Sequence, residues 1–381
     1  FFVADAAGNA SGEVGDVCGL YFGDTRVLSR YVVGTTSGSL SVTTVSFRAG
    51  NRARVVALAE GLNSLASPEM QVVVERAPVV ADGMYERLTV TNYGTKRCEL
   101  QLFIDVAADF RDMFEVRGMV REARGETHEP EVMRDRIRFR YSGRDGLDYA
   151  TEVRFAPVPE AVEYVPGVGL EDGPGWVRAL FPLVLEAKAQ HTIDVTIYAA
   201  IGGDTDATPA PPKTPTSEKR HATYEAAKEA AYAARRDWTD VAAQWTTDTA
   251  AVNEMLPQSM SDVYMLLNDF GFGLMPSAGV PWYAVPFGRD SLITSMQLLS
   301  VRPDMTKATL KTLAHWQGSR LVPELDEEPG KIMHELRSGE MARTGEIPFR
   351  PYYGTVDATA LFVVAAGEYW RWTGDRAFCN N

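Results

Sequence analysis

The chain has 381 residues, more than one ordinary hydrophobic core accommodates, so two domains are expected. Hydrophobic residues make up 45% and charged residues 23%, which excludes an intrinsically disordered polymer. A net charge of −13 argues against nucleic acid and anionic membrane partners, both of which need a basic patch; neutral sugars stay permitted.

Residues 1–201 carry the pattern of strands. Leu100, Leu102, Ile104 and Val106 fall on alternate positions, and Ile193, Val195 and Ile197 alternate with Thr192, Asp194 and Thr196. The spacing predicts a large antiparallel β-sandwich with frequent turns. Asn92 to Thr95 lies between two such runs and predicts a turn joining antiparallel strands. Asp24 and Arg26 share one face of a predicted strand, which favours an intra-sheet ion pair. His128, His191 and His221 have no partner identifiable from spacing. Cys18, Cys98 and Cys379 form neither a disulfide framework nor a metal-ligand pattern, and they fit a reducing, cytoplasmic compartment. No apolar run is long enough to span a bilayer.

Composition then shifts. Gly202 to Thr216 is rich in proline and reads as a linker, and Glu218 to Trp245 is rich in alanine and charge and predicts a long connecting helix, so 202–248 forms one connecting region. Over 249–381 the apolar period becomes helical: Val263, Leu266, Leu267 and Phe270; Leu292, Met296 and Leu299; Leu310, Leu313 and Ala314; Val356, Ala360, Val363, Val364 and Gly367. The connection from Leu321 to Gly354 is longer than helix packing requires, and such loops carry function.

Two stretches concentrate the chemistry, Pro281 to Ser291 and Tyr352 to Thr359. Each sets a carboxylate, Asp290 or Asp357, at a helix start behind aromatic and glycine residues. One reading is helix capping, in which the carboxylate accepts backbone N–H groups. The other is sugar chemistry, which needs flat apolar faces (Trp282, Tyr283, Phe287, Tyr353), a charged pair for hydroxyls (Arg289, Asp290) and a proton-donating carboxyl group. Glu335 and Arg337 in the long loop read, from the residues alone, as ion pairs in a solvated loop. His334-Glu335 alone is no metal site, because zinc needs at least three converging ligands. Trp316, Trp370 and Trp372 read as packing residues.

Both stretches resemble bacterial relatives of the amylo-α-1,6-glucosidase (glycogen debranching) family. The resemblance continues through Trp316 to Arg320, Glu328 to Glu340 and Trp370 to Asp375, and Gly23 to Arg30 is similar to the family's N-terminal domain. It implies a β-sandwich followed by an (α/α)6 barrel, of which 249–381 holds only the first helices. It further implies an exo-acting α-glucosidase that hydrolyses α-1,6 linkages of an α-glucan or oligosaccharide with inversion, without metal or organic cofactor. Asp357 is then the general acid, and Trp282, Phe287, Arg289, Asp290, Glu335, Arg337 and Tyr353 bind substrate. The glutamate base, ~6.5–9.5 Å from an inverting acid, matches no residue here and is expected from the second half of the barrel. The chain opens at Phe1 without methionine and stops at Asn381 past a helical stretch, which suggests a piece of a longer protein prone to aggregation through unpartnered helix faces.

One tension is visible already. A helix N-terminus lowers a carboxyl pKa, whereas a proton donor at neutral pH needs it raised; Glu335, Glu340 and Glu346 are the candidates to supply that pressure. A carbohydrate-binding protein without turnover, or a hydrolase of trehalose- or mannosyl-type α-glycosides, are the alternatives.

Overall fold

A computed structural model describes residues 1–13, 15–47, 53–61, 72–166, 175–202 and 220–379. Within the predicted linker and connecting helix, residues 203–219 lie outside the described residues, as does the side chain of Cys379. The chain divides into two compact units, with the boundary inside one helix between Tyr232 and Ala233.

The first unit is the antiparallel β-sandwich that the alternating pattern predicts. Its larger sheet runs in the order Glu126–Thr127, Arg136–Ser142, Asp148–Ala156, Gln190–Gly202, Met84–Asn92, Val72–Val80, Ala53–Ala59, Leu40–Phe47, with Glu131–Val132 also on Arg136–Ser142. The smaller sheet runs Ala161–Val165, Trp176–Leu185, Cys98–Ala107, Arg30–Thr35. Leu102, Ile104 and Val106 of the smaller sheet and Ile193, Val195 and Ile197 of the larger are buried, because period-two residues share one face. Phe155 and Phe181 meet edge to face between the sheets with ring centroids 5.7 Å apart. A polar contact crosses there too: the Tyr31 hydroxyl donates to Glu86, which also holds Arg76 at 2.9 Å.

Two expectations for this unit need correction. Asn92 to Thr95 does not close a hairpin, since Met84–Asn92 lies in the larger sheet and Cys98–Ala107 in the smaller. The chain crosses between layers there, and the Asn92 amide satisfies the corner by donating to the carbonyls of Lys96, Leu185 and Glu186 at 2.8, 3.1 and 3.1 Å. Arg26 is buried and forms its ion pair with Asp109 at 2.5 Å, across from the strand it occupies. Pairing of Thr25–Leu28 with Arg111–Asp112 brings Asp109 within reach. Asp112 then caps the single turn α1 (Met113–Val116) in a capping box with Glu115. His128 finds Ser142 at 2.9 Å and His221 finds Asp82 at 3.6 Å.

The connecting helix, α2, spans Tyr224–Asp240, and Tyr224, Ala227 and Ala231 pack with Tyr85 and Tyr198 of the sandwich unit. Beyond the boundary come α3 (Ala250–Met265), α4 (Gly288–Gln297), α5 (Pro303–His315), the short α6 (Glu340–Arg343), α7 (Ala358–Thr373) and α8 (Arg376–Cys379). Leu292, Leu310 and Leu313 are buried as their helical spacing predicts. Arg302 anchors the start of α5, holding Asp304 with two hydrogen bonds of 2.8 and 2.6 Å and donating to the Trp238 carbonyl at 2.6 Å.

Helical spacing misleads at two places. The helix predicted through Phe270 stops at Met265, and Leu267–Asp269 pairs instead with Leu274–Pro276. Turn chemistry decides this: the Asp269 carboxylate accepts the N–H groups of Gly271 and Gly273, both with positive φ near 105°. On α7 the predicted apolar face of Val356, Val363 and Val364 is exposed, and Ala358, Ala365 and Tyr369 form the buried side. The long connection is itself part of the core, with Ile332, Met333 and Met341 fully buried or nearly so.

Candidate active site

Three segments from distant parts of the second unit are laced together by their backbones. Glu335 forms isolated bridges with both Phe287 and Tyr352. The Gly288 N–H donates to the His334 carbonyl at 2.8 Å, the His334 N–H to the Tyr352 carbonyl at 2.7 Å, and the Tyr352 N–H to the Glu335 carbonyl at 3.0 Å. Glycine at 288 is a steric requirement, since a Cβ there would lie 2.1 Å from the Met333 carbonyl oxygen. This lacing brings the start of α4 beside the start of α7.

Two side chains exploit that proximity. Arg289, in the first turn of α4, holds Asp357, the N-cap residue of α7, at 3.1 Å. The Thr355 hydroxyl donates to the other carboxylate oxygen at 2.5 Å. Neither helix has a side-chain cap hydrogen bond: the N-cap of α4 is Phe287, and Asp357 spends its oxygens on Thr355 and Arg289. Capping therefore does not account for either carboxylate.

The Asp357 carboxyl is held below the usual carboxylate range, first by the Thr355 hydroxyl and then by Arg289. Glu335, Glu340 and Glu346 do not offset these groups. Glu340 is buried at its own helix start, and Glu346 accepts from Thr344 at 2.7 Å.

A cavity of about 420 Å³ opens here, lined by Arg289, Asp326, Lys331, His334, Gly354, Thr355 and Val356. Asp326 adopts a left-handed conformation, φ 53°, at the end of a 3-10 turn, and its carboxylate accepts the Tyr352 hydroxyl at 2.8 Å. Lys331 reaches the Asp326 carbonyl at 3.0 Å and the Glu328 carboxylate at 2.9 Å. Arg289 also borders a smaller cavity, about 200 Å³, where Asp290 stands with Ser277 and Thr294. Asp290 and Asp357 thus sit at different hollows that share Arg289 as a wall.

The other predicted residues have distinct placements. Phe287 is buried, with the Arg337 guanidinium 5.8 Å from its ring centre and Tyr283 edge-on at 5.8 Å. Trp282 is half-buried. Glu335 and Arg337 are buried and 3.6 Å apart, which removes the solvated-loop reading. Tyr353 lies in the core; its hydroxyl donates to the Trp316 carbonyl at 2.8 Å, and burial pushes its phenol up to about 12. Asp326, Lys331 and Thr355 were not singled out from the sequence, and His334 was considered there only as a metal ligand. His334 alternates with Met333 and Glu335 in the laced segment, and alternation there separates neither polar from apolar nor buried from lining residues.

A family model described as the N-terminal domain of (some) glycogen debranching enzymes matches residues 1–196. No curated protein matches the chain. Among solved structures, a putative kojibiose phosphorylase from the human microbiome superposes with a TM-score of 0.60 at 10% identity, covering 94% of this chain and 48% of that one. The chain therefore spans about half the length of that structure, and the likeness is one of fold. A putative aldose 1-epimerase from Escherichia coli K12 aligns at 11% identity over 43% of this chain and 69% of that one, with a TM-score of 0.25. A galactose mutarotase related enzyme from Lactobacillus acidophilus aligns at 9% over 44% and 73%, with a TM-score of 0.27. Scores that low carry no argument.

Proposed function

We infer, from the premise that this chain belongs to the glycogen debranching enzyme family through its N-terminal domain, that its second unit contributes to a site for the end of an α-glucan. Residues 249–381 are read as the opening helices of an (α/α)6 barrel, and the substrate as an α-glucoside, with α-1,6 linkages first. The observation that supports this best is the meeting of Arg289 and Asp357 at 3.1 Å beside a polar cavity of about 420 Å³. A cation and a carboxylate on rigid helix starts suit vicinal hydroxyls, each of which both donates and accepts.

In this reading Arg289 orients the terminal sugar and Asp357 protonates the bridging oxygen. Asp290 at the neighbouring hollow, together with Trp282, Phe287, Glu335 and Arg337, shapes and supports the pocket; Tyr353 supports it from the core. Proton donation requires Asp357 to leave its present state. When a sugar hydroxyl takes Arg289 and the ring excludes water, the carboxyl group loses its ion pair and its solvation, and both changes favour the protonated form. Water attack from the opposite face then needs a base, expected from the second half of the barrel. A second reading, sugar binding without turnover, is favoured by the contacts with Thr355 and Arg289 that hold the Asp357 carboxyl below the usual carboxylate range.

Calorimetric titration of the chain with isomaltose tests the binding step. Binding that weakens at least about tenfold in Arg289→Ala, the scale of one charge-assisted hydrogen bond, supports the reading, and absence of wild-type binding overturns it. In the enzyme that carries this chain, Asp357→Asn lowers glucose release by orders of magnitude with isomaltose still bound. Unchanged release assigns the acid elsewhere.

A further inference from the structure

The two oxygens of the Asp357 carboxylate have different partners. Oδ1 accepts the Thr355 hydroxyl at 2.5 Å, and Oδ2 accepts the Arg289 guanidinium at 3.1 Å. Both partners border the larger cavity, and the Asp357 side chain is 33% exposed, so the carboxyl group is within reach of solvent. The partners differ in how easily they leave. Arg289 reaches Asp357 at the end of a long side chain that is itself 46% exposed, and a sugar hydroxyl entering the cavity can take its place. Thr355 is half-buried, and its hydroxyl sits on a short, β-branched side chain with little rotamer freedom. Its backbone is tied down as well. The Thr355 N–H donates to the Tyr353 carbonyl at 2.7 Å, the Tyr353 N–H donates to the Leu325 carbonyl at 2.9 Å, and the Tyr353 hydroxyl donates to the Trp316 carbonyl at 2.8 Å.

A hydroxyl has one proton to donate. On a carboxylate either oxygen accepts it equally, whereas on a protonated carboxyl group the better acceptor is the oxygen without the proton. A hydroxyl fixed on Oδ1 therefore leaves Oδ2, the oxygen that Arg289 vacates, as the one that takes up a proton. We propose that Thr355 is a positioning residue for proton donation, directing the proton of the Asp357 carboxyl group to Oδ2 and fixing the orientation from which it is delivered. The inference rests on the α-glucoside reading above, in which Asp357 is the acid, and adds the residue that decides which of its oxygens acts. In the step, the Oδ2–H bond breaks and the proton goes to the bridging oxygen. The bond from that oxygen to the anomeric carbon breaks, with the electron pair left on the oxygen. Water bonds to the anomeric carbon and yields a proton to the base, and Asp357 is left as a carboxylate that pairs again with Arg289. Without the hydroxyl, the proton is shared between both oxygens and the carboxyl group turns about its Cβ–Cγ bond. Misplacement of that kind slows the chemical step and leaves ground-state binding alone.

Steady-state glucose release from isomaltose by the enzyme that carries this chain tests this. Thr355→Val keeps the side-chain shape and removes the donor. Its kcat is expected to fall about ten- to hundredfold, the scale of one hydrogen bond to a charged group, with KM near the wild-type value. Thr355→Ser, which keeps the hydroxyl, is expected to restore most of kcat. The hydroxyl also holds the Asp357 carboxyl down, so its loss raises that pKa. The limb on which kcat falls with rising pH is then expected to move to higher pH in Thr355→Val. Loss of folded protein lowers kcat and leaves that limb in place, so the two effects together separate positioning from a structural role. Wild-type kcat in Thr355→Val, with Asp357→Asn inactive, overturns this inference and leaves the functional reading intact. Thr355→Ser as slow as Thr355→Val, an unmoved limb, or a raised KM at unchanged kcat does the same. Unchanged release in Asp357→Asn, or none from the wild-type enzyme, overturns both. Should Thr355→Val fail to fold, Thr355→Ala takes its place under the same criteria.

Discussion

At the scale of single residues, the ionisation of Asp357 is the quantity on which the chemistry turns. The Thr355 hydroxyl and the Arg289 guanidinium both lower it. Thr355→Val and Arg289→Gln are therefore each expected to raise the Asp357 titration midpoint. Carboxyl ¹³C NMR across the acid range measures this, and a midpoint unmoved in both variants would show that the contacts at 2.5 and 3.1 Å do not govern the group. The sign for stability follows. A depressed carboxyl pKa favours the folded state above the ordinary carboxyl range, and the contribution disappears as pH falls through the lowered value. Asp304, held down first by Arg302, likewise loses its contribution as pH falls through its own lowered value, which loosens the start of α5 in acid.

Secondary-structure elements place these groups, and here glycine at 288 is decisive. Gly288→Ala would force a methyl group to within 2.1 Å of the Met333 carbonyl, which cannot retreat without breaking the lacing of Gly288, His334 and Tyr352. The substitution is expected to cost about 1–3 kcal/mol and to abolish isomaltose binding; thermal melting and calorimetry check the two effects separately. A variant that melts and binds like wild type would mean that the segments adjust more freely than the close approach allows. Elements also explain what was legible in the sequence. Period-two strands were, because a sandwich strand buries one face whatever its neighbours, as Ile193, Val195 and Ile197 show. The face of α7 was not. Val356, Ala360, Val363 and Val364 and the opposite Ala358, Ala365 and Tyr369 are both apolar sets, and spacing does not say which neighbour arrives. The hairpin at Leu267–Pro276 was hidden because Val263, Leu266, Leu267 and Phe270 satisfy a helical period that Asp269 and two glycines override. In the site, the motifs located Arg289 and Asp357 separately; their pairing depends on backbone bonds among residues that no local pattern connects.

For the molecule as a whole, the unpartnered apolar surface of the helical unit is the main liability. Val363 and Trp372 are 67% and 61% exposed, and a hollow of about 1040 Å³ lies between α5, α7 and α8 beside Phe362, Trp370 and Phe378. Surface of this kind drives association. The chain is expected to bind a hydrophobic dye and to self-associate as its concentration rises, and the double substitution Val363→Glu, Trp370→Glu to suppress both. Sedimentation velocity decides, and a monodisperse wild-type monomer without dye binding counts against this expectation. No helix among the described residues is long and apolar enough to cross a membrane.

The sandwich holds a different lesson. Asn92 ends a strand of one layer while its amide grips carbonyls at the end of a strand in the other. Mechanical load on either layer reaches its partner through that side chain as well as through the packed interior, so the corner behaves as a rivet that resists sliding of one sheet over the other.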